Sequence, residues 1–265
     1  MLWRRRYIKK STFFFLMSHM LDKAQLIDLF DRLQTPSAGR ELVLLARTQA
    51  PVRPVQSRGG NVITYLASPK MGTEIRTESR HIEFAGAIDK EYYAAVLEYY
   101  AQPCELKLEL IDHTTGEIRN IRHFPDFLEI RADRITLEEW KSTAKLERLA
   151  ERYGYRYVRG SDGRWYAPQI EEQLAELGIG YRIRSDDDIP RRRVENLLHL
   201  ADYYHPAAEP CPLTELARLR HLLREEGTVF LADLLAPPLS FAADDIFKAI
   251  ADHLVVADLD REQLS

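Results

Sequence analysis

Asp126, Glu139 and Lys141 are the residues of this chain whose types and spacing suit hydrolytic chemistry. Pro125-Asp126 opens one short apolar run, and Glu139-Trp140-Lys141 closes the next. Side chains alternate along a strand, so Glu139 and Lys141 share a face while Trp140 points the other way. If Asp126 begins the antiparallel neighbour, its carboxylate meets that of Glu139. Two carboxylates with backbone oxygen and water make a hard-oxygen site suited to Mg2+, for which Mn2+ can substitute. A cation there activates water against a phosphodiester and offsets the charge that develops on the phosphate. Lys141 would orient that water or stabilise the charge. Such spacing also arises by chance. The plain alternative makes Asp126 a turn cap and leaves Glu139 to Lys141 on a solvated strand edge.

Positioning these groups requires two paired strands, and the pattern predicts them at Phe127–Ile130 and Ile135–Trp140, joined by the turn Ala132-Asp133-Arg134. Cys104–Asp112 and Ile118–His123 alternate apolar and polar residues around His113-Thr114-Thr115-Gly116, a hairpin signature. Leu21–Gln34 predicts a first helix ended by Pro36 to Gly39, and Glu41–Arg47 is a second apolar-rich segment. Ala50–Gly60 reads as loop, Asn61–Leu66 as strand, and Thr77–Tyr100 as one long helix that carries Glu83. After Lys141 come a helix to Arg152, a hairpin around Gly160-Ser161-Asp162-Gly163, a helix at Pro168–Leu177 and a short strand at Tyr181–Arg184. Beyond Pro190 the spacing turns helical at Val194–Tyr204, Thr214–Glu226, Val229–Leu235 and Asp244–His253. A strand-like stretch at Leu254–Leu259 follows, and together these suggest a small winged-helix-like module.

The 265 residues suffice for a core of about 150 residues plus a smaller second domain. A net charge of −4 gives no global basic excess, so DNA binding would rest on local basic patches or a metal-bridged phosphate. Cys104 and Cys211 lie far apart with no CxxC partner, which argues against structural zinc or a disulfide framework and suits a reducing cytoplasm. No stretch approaches the roughly 20 apolar residues of a membrane span, so no membrane role is expected. Arg4-Arg5-Arg6 and the apolar run Thr12 to Met17 resemble a signal peptide only faintly. That segment reads as a basic tail or an upstream start, with Met17 and Met20 as alternative starts, and the expected location is cytoplasmic.

An ordered set of motifs adds to this reading. Ser68-Pro69-Lys70-Met71-Gly72, Glu78-Ser79-Arg80-His81-Ile82-Glu83, Gln102-Pro103, Phe124-Pro125-Asp126-Phe127-Leu128 and Glu139-Trp140-Lys141 follow one another. Gly163-Arg164-Trp165, Gly178-Ile179-Gly180-Tyr181 and Asp188-Ile189 come later. Over roughly residues 50–200 the chain resembles the TnsA family, the endonuclease subunits of heteromeric transposases in bacterial transposons. The resemblance implies an α/β fold with a restriction-endonuclease-like mixed sheet flanked by helices, then a C-terminal winged-helix-like domain. The corresponding division is an N-terminal tail and helix over 1–40, a nuclease domain over 41–190 and a partner-binding domain over 191–265. It implies Mg2+-dependent cleavage of the 5′, non-transferred strands at transposon ends. The implied partners are a DDE-type transposase subunit of the RNase-H-like class and an AAA+ ATPase regulator. The family's helix acid falls at Glu83, which would join Asp126 and Glu139 as metal ligands. One residue more separates Ser79 from Glu83 than the common ES-x-x-E form allows, so Glu78 competes for that role.

Other residues invite weaker readings. Gln102 would support the metal-site water or contact phosphate, or else simply turn the chain. His123 lies three residues before Asp126 and could approach DNA phosphate, although a histidine there is more often a strand surface residue. Lys145 lies on a helix face where DNA backbone could reach it, and a solvated role is the plainer one. Asp186-Asp187-Asp188 is expected to cap the following helix, and Arg191-Arg192-Arg193 to be a linker charge run or a phosphate contact. Three other functions remain open: a restriction or repair nuclease outside transposition, a non-catalytic adaptor of the same fold, and a winged-helix DNA-binding regulator.

Overall fold

The computed structural model describes residues 20–52, 63–79, 82–205 and 207–264. The basic N-terminal segment with Met17, most of the 50–60 loop, and Arg80-His81 lie outside the described residues. The chain divides into two compact units, one over Ser18–Pro190 and one carrying Arg191–Ser265.

The first unit is mixed α/β. It opens with helices α1 (Lys23–Arg32) and α2 (Ser37–Thr48). Helix α1 ends at Arg32, before Pro36, as expected, but the break is shorter than expected: Pro36 holds the N-cap position of α2 and Gly39 lies inside that helix. A hairpin follows, β1 (Thr64–Ser68) with β2 (Thr73–Thr77), then α3 (Glu83–Tyr92) and β3 (Val96–Ala101). The single helix expected over Thr77–Tyr100 is therefore wrong at both ends. Val96, Tyr99 and Tyr100 are strand formers, and pairing with a neighbouring strand overrides their helical spacing.

The hairpin β4 (Leu106–Asp112) with β5 (Glu117–His123) stands where its alternation predicts it. So do β6 (Phe127–Arg131) and β7 (Ile135–Trp140), which pair antiparallel with Leu128 opposite Leu137. Helix α4 (Thr143–Arg152), the ribbon β8 (Val158–Arg159) with β9 (Trp165–Tyr166), α5 (Pro168–Ala175) and β10 (Gly180–Arg184) complete the unit. One four-stranded sheet runs in the order β10-β7-β6-β3, with β10 parallel to β7 and the other pairs antiparallel.

Every residue of β6 and β7 is buried, so both sheet faces are covered and they differ in kind. Leu128, Ile130, Ile135, Leu137 and Ile183 belong to one apolar cluster with Leu26, Leu29 and Phe30 of α1, Val43 of α2, Leu146 of α4 and Ile170 of α5. At about 25 cal/mol per Å2 of apolar surface, that shared burial supplies the main stabilisation of the unit. The opposite face carries Glu129, Arg131, Glu138 and Trp140 and lies beneath α3. Helix α3 approaches so closely that a Cβ on Gly86 would stand 2.9 Å from the Trp140 ring.

The outer edge of β4 is closed by side chains. Gln169 Oε1 accepts from the Ile111 amide at 2.7 Å while its Nε2 donates to the Ile111 carbonyl at 3.0 Å. Gln173, one turn along α5, does the same for Glu109. Two glutamines thus satisfy an edge that would otherwise accept another strand.

The second unit is helical: α6 (Arg191–His199), a 3-10 turn at Ala201–Tyr204, α7 (Leu213–Glu226), α8 (Leu231–Leu235) and α9 (Ala243–Ala251). Leu216, Leu219, Phe241, Phe247 and Ile250 lie in its core. The strand expected at Leu254–Leu259 does not form. That stretch is turn and coil, and Asn196 fixes the segment after it by donating to the Leu259 and Glu262 carbonyls and accepting from the Leu264 amide. The described residues of this unit offer no strand for it to pair with. Arg191, Arg192 and Arg193 open α6 rather than form a linker, and they pair with Glu195 and Asp260.

Candidate active site

Backbone pairing brings the predicted residues together at one end of the sheet. The Asp126 amide donates to the Glu138 carbonyl at 2.8 Å, and the Asp126 carbonyl accepts from the Gln102 amide at 2.8 Å. Asp126 is thereby held between the ends of β3 and β7, and its Oδ2 accepts from the Trp140 amide at 2.6 Å. Alternation along β7 holds: Glu139 ion-pairs with Lys141 on one face, while Trp140 Nε1 donates to Glu138 on the other at 2.9 Å. The Lys141 amide donates to the Arg184 carbonyl at 3.0 Å, so β10 fixes the backbone from which Lys141 projects.

The acids are not equally compensated. Burial, then the charges of Glu83 and Glu139, push the Asp126 carboxyl up to about 8 against the pull of Lys141 and the Trp140 amide. Burial and the charge of Glu78 also raise Glu83, opposed by its bond from the Glu78 amide at 2.8 Å and by Lys141 and Lys145. Burial alone would raise Glu139, but Lys141 and Arg156 outweigh it and hold that carboxyl well below the carboxylate range. Burial likewise pulls on the Lys141 ammonium, and Glu139 and Asp126 overcome it and raise its pKa.

Glu139 is surrounded by donors that the sequence reading did not identify. Oε1 accepts from Lys141 and, at 3.1 Å, from the Tyr157 hydroxyl, with Arg156 at 3.7 Å. Oε2 accepts from the Tyr181 hydroxyl at 2.7 Å. Tyr181 also meets His123 Nε2 at 2.8 Å, and Arg156 reaches His123 Nδ1 at 3.0 Å. His123 is therefore buried and bonded, not the surface residue expected. Tyr181 sits on β10 opposite Leu137, a parallel pairing across a long connection that local spacing does not reveal. Its motif was visible in the resemblance, but no role attached to it.

The remaining expected residues divide. Gln102 is buried, adopts φ of +45°, and points its amide nitrogen toward Glu78 Oε1 at 3.4 Å, while its own Oε1 has no hydrogen-bond partner among the described residues. A left-handed non-glycine residue costs about 1–3 kcal/mol and persists only where its surroundings dictate it. Here the Asp126 carbonyl and the Val52 amide hold it. Lys145 is exposed in the first turn of α4, as the solvated reading expects. The aspartates cap a different helix from the one anticipated. Asp186 accepts from the Thr143 amide at 2.7 Å and Asp187 from the Thr143 hydroxyl at 2.7 Å, both at the start of α4, and Asp188 turns back to the Ser185 amide.

The oxygen donors suit a hard divalent cation only in part. Asp126 and Glu83 are undercompensated carboxylates that a cation would stabilise, whereas Glu139 Oε1 is already crowded by donors. Among the described residues, no three His, Cys, Asp or Glu side chains converge closely enough to hold a metal ion. No family model matches the sequence, and no curated protein matches it.

Proposed function

We propose that this chain is a metal-dependent DNA endonuclease that cuts the 5′, non-transferred strands at transposon ends. The observation that carries the reading is the placement of Asp126 between the ends of β3 and β7, next to the Glu139–Lys141 pair, with burial and nearby Glu83 raising its carboxyl. Like charges gathered in a partly buried site are costly unless a cation offsets them. Mg2+, or Mn2+ in its place, would have to draw Asp126, Glu83 and Glu139 closer together than they stand, and would supply an activated water and charge neutralisation at the phosphate. Asp126 offers a carboxylate steadied by the Trp140 amide. Glu139, kept ionised by Lys141 and Arg156, offers Oε2, where Tyr181 is the one donor among the described residues. A carboxylate oxygen has two lone pairs, so one acceptor direction there remains. Lys141, held as an ammonium, orients the attacking water or meets the charge developing on the phosphate. Gln102 supports the water from its buried turn.

The resemblance extends the proposal to a restriction-endonuclease-like core, a winged-helix-like C-terminal domain, a DDE-type transposase and an AAA+ ATPase as partners, and a cytoplasmic location. No helix among the described residues is long and apolar enough to cross a membrane. The test is nicking of supercoiled plasmid by the full chain with Mg2+, Mn2+ or chelator. Wild type should nick only with metal, and Asp126→Ala and Glu139→Ala should not. Equal background from all three sinks the enzyme reading. Neighbouring genes for a transposase and an ATPase distinguish the transposition role from restriction or repair.

The donors on Glu139 favour one second reading, a non-catalytic adaptor in which Lys141 serves as the internal counter-ion. That reading predicts no metal-dependent nicking but full stability of the wild-type chain without divalent ions.

A further inference from the structure

Glu139 ends a series of hydrogen bonds whose direction chemistry alone fixes. A guanidinium has no acceptor, so Arg156 Nη2 must donate to His123 Nδ1 across their 3.0 Å contact. Nδ1 then carries no proton, and a neutral imidazole keeps its proton on Nε2. That nitrogen lies 2.8 Å from the Tyr181 oxygen and donates to it. Tyr181 has a single proton, which is left for Glu139 Oε2 at 2.7 Å. Burial pulls the His123 pKa down to about 4, which keeps the ring neutral at ordinary pH. A second proton on Nδ1 would face the guanidinium. The His123 and Tyr181 rings also meet edge to face at 5.7 Å, so the imidazole is held in plane for both contacts.

We propose that Arg156, His123 and Tyr181 form a one-way hydrogen-bond chain into Glu139, and that His123 and Tyr181 are positioning residues for the proposed cleavage. The direction of the chain stands by itself, whereas the positioning role rests on the nuclease reading. With the opposite tautomer, Nε2 would accept the Tyr181 proton and Oε2 would lose its donor. Glu139 would then be fixed only through Oε1, by Lys141 and Tyr157, and free to turn about that end. Donors in series also polarise one another, which strengthens the last bond.

Two measurements on the full chain test this. A long-range 1H–15N spectrum of wild type, with His123 assigned by the signal missing from His123→Gln, should show Nε2 protonated and Nδ1 bare at neutral pH. The other tautomer, or a doubly protonated ring, overturns the chain. Titration with Mn2+ alone, read by electron paramagnetic resonance, should show affinity about tenfold weaker in Tyr181→Phe. His123→Gln, whose amide can still donate to Tyr181, should bind close to wild type. Equal or tighter Mn2+ binding by Tyr181→Phe overturns the positioning role. A wild-type chain that takes up no Mn2+ sinks the nuclease reading and the positioning role with it, while the histidine spectrum still decides the direction of the chain.

Discussion

Glu138 and Glu139 are neighbours on β7, both buried, and their surroundings oppose each other. Behind the strand, Glu138 pairs with Lys90, whose ammonium lies 4.9 Å from the Phe127 ring centre and 4.7 Å from that of Trp140. Arg182 and Arg184 stand at 3.8 Å, and Lys90 and Arg184 overcome burial to bring Glu138 down to about 2. That face has as many cations as it needs. In front, Lys141 must serve Glu139, Asp126 and Glu83 together, and it satisfies only the first. A buried acid with its own cation is a structural element; a group of acids whose nearby cations leave two of them raised has a reason to bind another cation. The contrast separates fold from site on a single strand.

The largest expected effect lies in front. Asp126→Ala and Glu83→Gln should each cut metal-dependent nicking by on the order of 10³-fold while the melting temperature holds or rises, because each removes a buried acid whose ionised form is undercompensated. Glu78→Gln should leave most activity, and the reverse order would make Glu78 the helix acid. Behind the strand the outcome should invert. Glu138→Ala leaves Lys90 buried without its partner and should cost about 3–5 kcal/mol in chemical denaturation. The double variant Lys90→Met, Glu138→Leu should recover more than half of that loss. Equal stability losses on the two faces would erase the distinction.

How far the sequence carried this picture depended on the range of each interaction. Alternation and turns are local, so β4 to β7 and the facing of Glu139, Trp140 and Lys141 were legible. The end of α3 was not, because Val96–Ala101 becomes a strand only by pairing with β6. Asp126 and Lys141 could be singled out by type and spacing. Their electrostatics could not, since these depend on Glu83 from α3. Tyr157 arrives in the coil after α4 and Tyr181 on β10, at the far end of the connection from β7, and no short spacing announces them. The same distance hid Lys90 and Arg184 behind the strand.

A smaller effect probes the two acid environments through pH. His123 has its pKa lowered by burial from an ordinary 6.5 to about 4. Between those values the unfolded chain binds a proton that the folded chain refuses, so stability falls as pH drops through the window. The slope is at most about 1.4 kcal/mol per pH unit. Asp126 has the opposite sign: its folded carboxyl keeps a proton up to about 8 that the unfolded one loses near 3.8. Stability therefore falls as pH rises toward 8, and the two slopes oppose each other between about 4 and 6.5. Denaturation in chelator should show the acid-side loss reduced in His123→Gln and the alkaline-side loss removed in Asp126→Asn. Unchanged profiles would mean that neither group is buried as its neighbours imply.

The smallest effect concerns how the front face is mounted. Asp186 caps the amide of Thr143, two residues after Lys141, and so fixes the start of α4 just where the chain leaves β7. Ser142 stays as the N-cap of α4, accepting from the Lys145 amide, so Asp186→Ala should cost less than the roughly 1 kcal/mol of a lost helix cap. Lys141, however, takes its backbone direction from Arg184 on β10, not from α4. Nicking by Asp186→Ala should accordingly stay close to wild type at temperatures well below melting. A large loss of nicking at full folding would show that α4, rather than the β7–β10 pairing, sets the ammonium against the acids, and the front face would then depend on a helix start instead of a sheet.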